Sequence, residues 1–245
     1  MSDEKTISTV GAIPPDDERD APDSPALVIA WCADEPLRVG EIALFRARGP
    51  VHTLGRGEGD GEARVRFFRQ RPKRLEPTAP LAGLALSRRQ LDVVATNRGL
   101  QITRVGRCPL TVNGVATDET TVVPGDTLHL RGQLLLYCIR RIASIPKTSY
   151  FEPSRFGAFG EPDAAGILGE APATWELRER IAFAAQSGKH VLLHGESGTG
   201  KELAARRRDQ SSVYRRGPRR RRDGRRPYLH RTGARRRPEP SRLAR

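Results

Sequence analysis

Between residues 26 and 142 the apolar residues come in short stretches, cut every few positions by Gly, Pro or Asn. The stretches read "ALVIAW", "EIALFRA", "VHTLGR", "RVRFF", "LALSRRQLDVVA", "GLQITRV", "PLTVNGVAT", "DTLHL" and "QLLLYCIRR". Several alternate apolar and polar at period two, which sends one face of a strand into a core and the other to solvent. "TNRG", "VNGV" and "VPGD" between them carry the residues that tight turns require. Many short strands at such spacing predict a β-sandwich over 26–142 and argue against βαβ units.

The flanks have a different texture. Residues 1–25, acidic and Pro-rich, hold too little apolar surface to offset the entropy of ordering, and are expected to be a disordered leader. Residues 143–163, "ASIPKTSYFEPSRFGAFGEPD", carry three prolines and two glycines without periodicity, and read as an interdomain linker. From there Trp175, Leu177, Ile181 and Ala185 recur at helical spacing, with Thr174 as N-cap and Gly188 as the stop. "HVLLH" (190–194) reads as a short buried strand, and "GESGTGKELAA" as a loop running into a helix.

The formal net charge of +14 suggests a nucleic-acid partner until it is located. Residues 206–245 hold 17 Arg, no Lys and 3 acids, which accounts for all of it. The other 205 residues carry 26 basic and 26 acidic groups and are neutral. The three cysteines, Cys32, Cys108 and Cys138, have neither CxxC pairing nor metal-ligand spacing with His, as expected of buried thiols in a reducing cytosol. No basic and apolar signal sequence opens the chain and no apolar run is long enough to span a bilayer, so a cytoplasmic protein without a membrane partner is expected.

Four fragments in order, "TLGRG" (Gly55, Arg56), "LSRRQ" (Ser87 to Gln90), "VNG" (Asn113, Gly114) and "VVPGDTLHL", resemble a forkhead-associated (FHA) domain over 26–142. The resemblance implies a loop end that binds phosphothreonine peptides, with Arg56 pairing with the phosphate, Ser87 donating a hydroxyl hydrogen bond and Arg88 beside it. The chemistry suits a dianion, which favours a guanidinium fork and short neutral donors. Gln90 stands where the family usually has a structural His. Cys108 and Pro109 stand where the family has the Asn-Gly that holds the peptide backbone, and the insert "RFFRQRPKRLEPTAPLAG" is longer than usual. The basic cluster Arg64, Arg66, Arg69, Arg71, Lys73 and Arg74 reads as a solvated loop, with a widened anionic-peptide site as the alternative. Asn113-Gly114 reads as a turn requirement.

Gly195 to Lys201 satisfy G-x-x-x-x-G-K, with a strand expected before and a helix after. In that context the backbone N–H groups of Gly195, Glu196, Ser197, Gly198, Thr199 and Gly200 cradle a phosphate and Lys201 reaches the β- and γ-phosphates. Glu202 replaces the usual metal-binding Ser/Thr. "GILGEAPATWELRERI…VLLHGESGTGKELAAR" resembles the start of the AAA+ domain of sigma-54-dependent transcriptional activators, bacterial enhancer-binding proteins in which an FHA domain is one known sensor. The resemblance covers about 164–206 and implies ATP with Mg²⁺ as cofactor and the sigma-54 RNA polymerase as a partner of the full-length family.

After Ala205 the resemblance read from the residues stops, with no acidic Walker B strand, sensor residues, arginine fingers or DNA-binding helix-turn-helix. ATP hydrolysis and DNA binding through such a motif are therefore not expected, since phosphoryl transfer needs a metal-holding acid and a positioned water. The Arg-rich tail reads as out-of-frame translation of GC-rich DNA, with a solvated tail or a nucleic-acid arm as alternatives.

The fold class is thus mainly β. An FHA-like sandwich (26–142) and a linker (143–163) precede an N-terminal fragment of an α/β P-loop domain (164–205) and a disordered tail (206–245). The function expected is the phosphopeptide-sensing part of a sigma-54 activator. The alternatives are a P-loop protein that retains ATP binding, and a phosphate-independent docking adaptor with a nucleic-acid-binding tail.

Overall fold

The structure, a computed structural model, describes residues 23–46, 49–58, 63–187 and 189–205. The expected leader through residue 22, the helix stop at Gly188 and the tail 206–245 lie outside the described residues.

Among the described residues twelve strands follow in order: β1 (Ser24–Cys32), β2 (Ile42–Leu44), β3 (His52–Leu54), β4 (Phe68–Arg71), β5 (Arg74–Pro77) and β6 (Leu91–Ala95), then β7 (Leu100–Arg104), β8 (Leu110–Val112), β9 (Val115–Ala116), β10 (Glu119–Val122), β11 (Thr127–Leu130) and β12 (Leu134–Arg141). They form an eight-stranded sheet, β5-β4-β2-β1-β12-β11-β8-β9, and a four-stranded sheet, β10-β7-β6-β3. Every strand pair in both is antiparallel.

Period two explains which residues meet. In β6, Leu91, Val93 and Ala95 are buried while Asp92 and Val94 are half-buried. They join Leu100 and Ile102 of the same sheet, and Leu27, Ile29, Leu128, Leu130, Leu134 and Leu136 of the other, in one core. Each such side chain contributes about 2 kcal/mol relative to an exposed one. Asn113 (φ 50°) and Gly114 (φ 81°) form the left-handed pair that a two-residue hairpin between β8 and β9 demands. The Asn113 amide also donates to Asp126 Oδ1 at 2.7 Å, and its carbonyl accepts from the Thr127 N–H at 2.9 Å.

All three thiols are free and buried, and desolvation raises each pKa, that of Cys138 to about 11. The reactive species is the thiolate, and at pH 8 a pKa of 11 leaves about a thousandth of the thiol in that form. A disulfide-exchange dye is therefore expected to label the native chain slowly and the unfolded chain fast. Rapid labelling of three thiols in the native chain would contradict this burial.

Two expected strands need correction. "RVRFF" was expected to be a strand, but within it only Arg64 makes an isolated parallel bridge, to Thr53, before the ladder begins at Phe68, and the long insert folds into the β4–β5 hairpin, turned by Pro72 and by Lys73 at φ 56°. Residues 190–194 form no strand and are exposed, Leu192 at 92%. A strand needs hydrogen-bonding neighbours, and among the described residues none pairs with this run.

Residues 143–163 contain no α-helix or strand, yet they are packed. Ile145, Phe151 and Trp175 are buried together with Ala182, flanked by Ile142, Tyr150 and Phe156. Trp175 and Ala182 belong to α1 (Pro172–Ser187), whose first turn bonds back to the Ala171 carbonyl from the N–H groups of Thr174 and Trp175. Thr174 thus lies inside the helix, and Pro172 takes the first-turn position where a missing N–H costs nothing. Glu179 of α1 accepts from the N–H groups of Ser149, Tyr150 and Phe151 at 2.6, 2.8 and 2.9 Å, which pins the irregular segment to the helix.

This second unit is joined to the sandwich by polar contacts. Arg71 Nη2 meets Glu170 Oε1 at 2.7 Å, Arg141 Nη2 donates to the Glu170 carbonyl at 3.0 Å, and Gln70 Nε2 donates to the Ile142 carbonyl at 2.8 Å. Among the described residues no helix is long and apolar enough to cross a membrane.

Candidate functional site

The site grows from the end of β3. The chain leaves Leu54 through Gly55, where an added Cβ would stand 2.3 Å from the Arg88 carbonyl oxygen and 2.4 Å from that of Ser87. Only glycine allows the two loops to lie so close. The loops are then laced together: Arg56 N–H donates to the Ser87 carbonyl at 3.1 Å, Gln90 N–H to Leu54 at 2.8 Å, and Gly57 N–H to Leu81 at 2.8 Å.

Gln90 ties in a third loop. It is fully buried, its Nε2 donates to the Cys108 carbonyl at 2.8 Å, and its Oε1 accepts from the N–H of Cys108 at 3.2 Å and of Ser87 at 3.3 Å. A neutral amide carries both a donor and an acceptor, so it can staple two backbones without bringing a charge into the core. The Arg107 N–H donates to Ser87 Oγ at 3.1 Å. Ser87 therefore serves first as a loop tie, with its own proton still available to an acceptor.

Four arginines, Arg56, Arg64, Arg88 and Arg89, line a cavity of about 570 Å³ at these loops, together with Thr53 and Glu58. Two are committed elsewhere. Arg64 donates to the Arg88, Arg56 and Gly57 carbonyls at 2.5, 2.7 and 2.8 Å, and its burial lowers its pKa from the usual guanidinium value. Arg89 pairs with Asp92. Arg56 and Arg88 make no side-chain hydrogen bond or ion pair among the described residues, and Arg56 Nε is buried without a partner. Guanidiniums without partners beside a carbonyl-anchored third are the kind of donor that a multiply charged oxyanion takes.

Of the three residues that the sequence singled out, Arg56 and Arg88 line this one cavity, whereas Ser87 is half-buried and is not among its lining residues. Cys108 is buried with Sγ against the Pro109 and Arg131 carbonyls, so this position presents no polar side chain to a peptide backbone.

The reading of the basic cluster as a solvated loop is corrected for three of its members. Arg64 clamps the loops, Arg69 Nε bonds to the buried Glu41 at 3.2 Å, and Arg71 bonds to Glu170. Sequence gave these residues no mark, because a structural arginine and a solvated one look alike until their carbonyl and carboxylate partners are in place. Arg74, by contrast, pairs with Glu76 at the surface.

The G-x-x-x-x-G-K residues form an exposed loop, with Gly198 (φ 81°) and Gly200 (φ 77°) left-handed and a helical turn over 201–205. Leu203 and Ala204 pack with Ile167 and Ile181, which holds that turn against α1. Lys201 Nζ donates to the Gly195 and Glu196 carbonyls, and Thr199 Oγ1 donates to the Glu196 carbonyl at 2.8 Å. The residue types suit a triphosphate, but this placement does not fit one: the lysine is turned onto its own loop, and no buried strand fixes the loop's entry. Among the described residues no cluster of His, Cys, Asp or Glu could hold a metal ion.

Residues 167–221 match the sequence model of the Sigma-54 interaction domain. The match runs past Ala205, where the resemblance read from the residues stops. A stretch of 50 residues is 54% identical to the Nif-specific regulatory protein of Bradyrhizobium diazoefficiens, covering 20% of this chain and 9% of that protein. A stretch of 53 residues is 49% identical to the transcriptional regulatory protein ZraR of Klebsiella oxytoca, covering 22% of this chain and 12% of that protein. The chain spans about a tenth of the length of these relatives. Among solved structures, the FhaA FHA domain complexed with the intracellular domain of Rv3910 is 19% identical, covering 47% of this chain and 99% of that chain at a TM-score of 0.32.

Proposed function

We propose, for a chain that carries a stretch of the sigma-54 interaction domain behind a β-sandwich, that it is a signal-receiving part of a sigma-54-dependent transcription regulator. The sandwich binds a protein segment carrying phosphothreonine. Arg56 and Arg88 hold the phosphate, while Arg64, Gln90 and Ser87 hold the loops that present them. The observation that carries this reading is that two guanidiniums without partners among the described residues share one cavity with a third that three carbonyls fix in place. Holding arginines in position before binding removes part of the ordering cost that a mobile side chain pays on capture.

Contact with the sigma-54 polymerase is proposed through the matched stretch, and cytoplasmic location follows from that role. ATP with Mg²⁺ is what the resemblance implies for residues 195–202, but since the described loop does not fit a nucleotide, no step here runs through it.

The test is fluorescence anisotropy with degenerate threonine-centred peptides in phosphorylated and unphosphorylated form. Phosphorylated pools are expected to bind at least about 30-fold tighter, the size of a charge-assisted, hydrogen-bonded pair. Equal binding of the two pools would overturn the phosphate reading and leave a phosphate-independent docking module.

A further inference from the structure

The tip of the β4–β5 hairpin meets the second unit at another basic cavity, of about 350 Å³. Arg71, Arg74 and Lys147 line it, no acid does, and Pro72, Pro153 and Phe156 supply its apolar wall. The acids bonded to this lining or next to it in the chain are already matched: Glu170 with Arg71, Glu76 with Arg74, and Glu152 with Arg155. Arg71 is fixed by Glu170 and by the rings of Phe159 and Trp175, whose centroids each lie 5.8 Å from its Cζ, yet its Nε is buried without a partner. Lys147 is exposed, and its ammonium makes no ion pair or hydrogen bond among the described residues. A cleft lined by charges of one sign, with partly apolar walls, concentrates the field that draws an anion.

The chain carries such an anion beside this cavity. Residues 16–20 read Asp-Asp-Glu-Arg-Asp, four carboxylates against one guanidinium. They come just before β1, whose first residue, Ser24, stands opposite Arg141 in the β1–β12 ladder. Arg140 Nη2 also donates to the Asp23 carbonyl at 2.7 Å. The Arg141 side chain then runs to the joint, its Nε donating to Gln70 Oε1 at 2.8 Å and its Nη2 to the Glu170 carbonyl at 3.0 Å. The chain therefore enters the sandwich one arginine side chain away from Gln70, the neighbour of Arg71. Asp20 and Asp16 precede Ser24 by four and eight residues, which extend to about 14 and 28 Å and outreach that side chain.

We infer that the cavity of Arg71, Arg74 and Lys147 is a carboxylate site, and that its occupant is the acidic stretch Asp16 to Asp20 of this same chain. Lys147 is the main anchor, because its ammonium has no other partner, while Arg71 and Arg74 donate from the N–H groups that Glu170 and Glu76 leave free. Seated there, the stretch ties the start of β1 to the hairpin and to residues 143–163 at once. The site stands apart from the phosphate cavity and does not rest on the phosphothreonine reading. Its ion pairs face solvent, so two or three of them together favour the seated stretch by about tenfold and weaken as salt rises.

The experiment is carbodiimide coupling on the full chain, which joins a carboxylate directly to an amine in contact with it, read by peptide mass spectrometry. Lys147 is expected to link to residues 16–20 about tenfold more than Lys189 or Lys201 does, and the link is expected to fade at about 1 M salt. Trypsin cleavage after Arg19 is expected to be about tenfold faster in Lys147→Glu, a change at an exposed residue, with thermal unfolding as the check on the fold. Equal linking of the three lysines, or equal cleavage at Arg19 in wild type and Lys147→Glu, overturns the site. Protection of Arg19 that survives Lys147→Glu and is lost in Arg56→Ala places the stretch in the phosphate cavity and overturns it too. Links between isotopically light and heavy chains in a mixture overturn the choice of the chain's own stretch as occupant.

Discussion

Arg56→Ala is expected to abolish the difference between phosphorylated and unphosphorylated peptides, with a loss of about a hundredfold for the phosphorylated one. A phosphate dianion desolvated at a protein surface depends on the group that neutralises it, and Arg56 is the cavity arginine with a buried, unpartnered Nε. Removing it leaves phosphate oxygens without charge-assisted donors, the costly half of breaking such a pair. The fold is expected to tolerate the change, because the side chain makes no hydrogen bond among the described residues and truncation removes an unsatisfied donor. Arg56→Lys keeps the charge and loses the fork, so an intermediate loss is expected. Arg64→Met should behave differently: it frees three carbonyls and loosens both loops, so peptide binding and thermal stability fall together. Anisotropy and thermal unfolding on the same samples separate these cases. Wild-type affinity in Arg56→Ala would remove this cavity as the phosphate site.

Asp163→Ala is expected to cost about 3 to 5 kcal/mol in the second unit while leaving the sandwich folded. Asp163 and Arg178 form an ion pair at 2.9 Å with side-chain exposures of 2% and 3%. Asp163 Oδ1 also accepts from the N–H groups of Ala165 and Ile167 at 2.9 and 3.1 Å. Arg178 donates to the Gly169 and Ile167 carbonyls, both at 2.7 Å, and its guanidinium lies 4.5 Å from the Trp175 ring centroid. Taking away the carboxylate strands a buried cation and unties the turn over 163–167 in one step. The double variant Asp163→Ala/Arg178→Met is expected to be less destabilised than the single one, since no charge is then left buried alone. Calorimetry and limited proteolysis read this directly, as new cleavage within 143–170 while the sandwich core resists. A single variant within about 1 kcal/mol of wild type would show that the pair does not hold the unit together.

These two sites illustrate what was legible in the chain. Arg56 drew notice because it follows a strand and a glycine in a recognisable order. Asp163 and Arg178 did not: they are fifteen residues apart, and nothing local marks an Asp at the end of a Pro-rich stretch as the partner of a helical Arg. Gln90 drew notice only as a departure from a family pattern, and its role needed the Cys108 backbone, eighteen residues away, to be in place. Arg64 was read as one charge in a basic run, since its three partners are carbonyls, which every residue has.

The sequence alone determined the sandwich, its Asn113-Gly114 hairpin, the helix α1 with Trp175, Ile181 and Ala185 inside (Leu177, expected with them, is exposed) and the likeness of the segment that follows to the Sigma-54 interaction domain. Each of these is local: a period of two, a left-handed turn pair, a helical period, a contiguous motif. Tertiary structure decided that residues 143–163 pack against a helix, that the insert becomes a hairpin walling a second cavity, and that the run at 190–194 stays unpaired. In each case the outcome depends on a distant surface or hydrogen-bonding edge, which composition and periodicity cannot supply. The same holds for the arginines: their number was plain from the residues, but only folded geometry divided them into those that hold loops and those without a partner among the described residues.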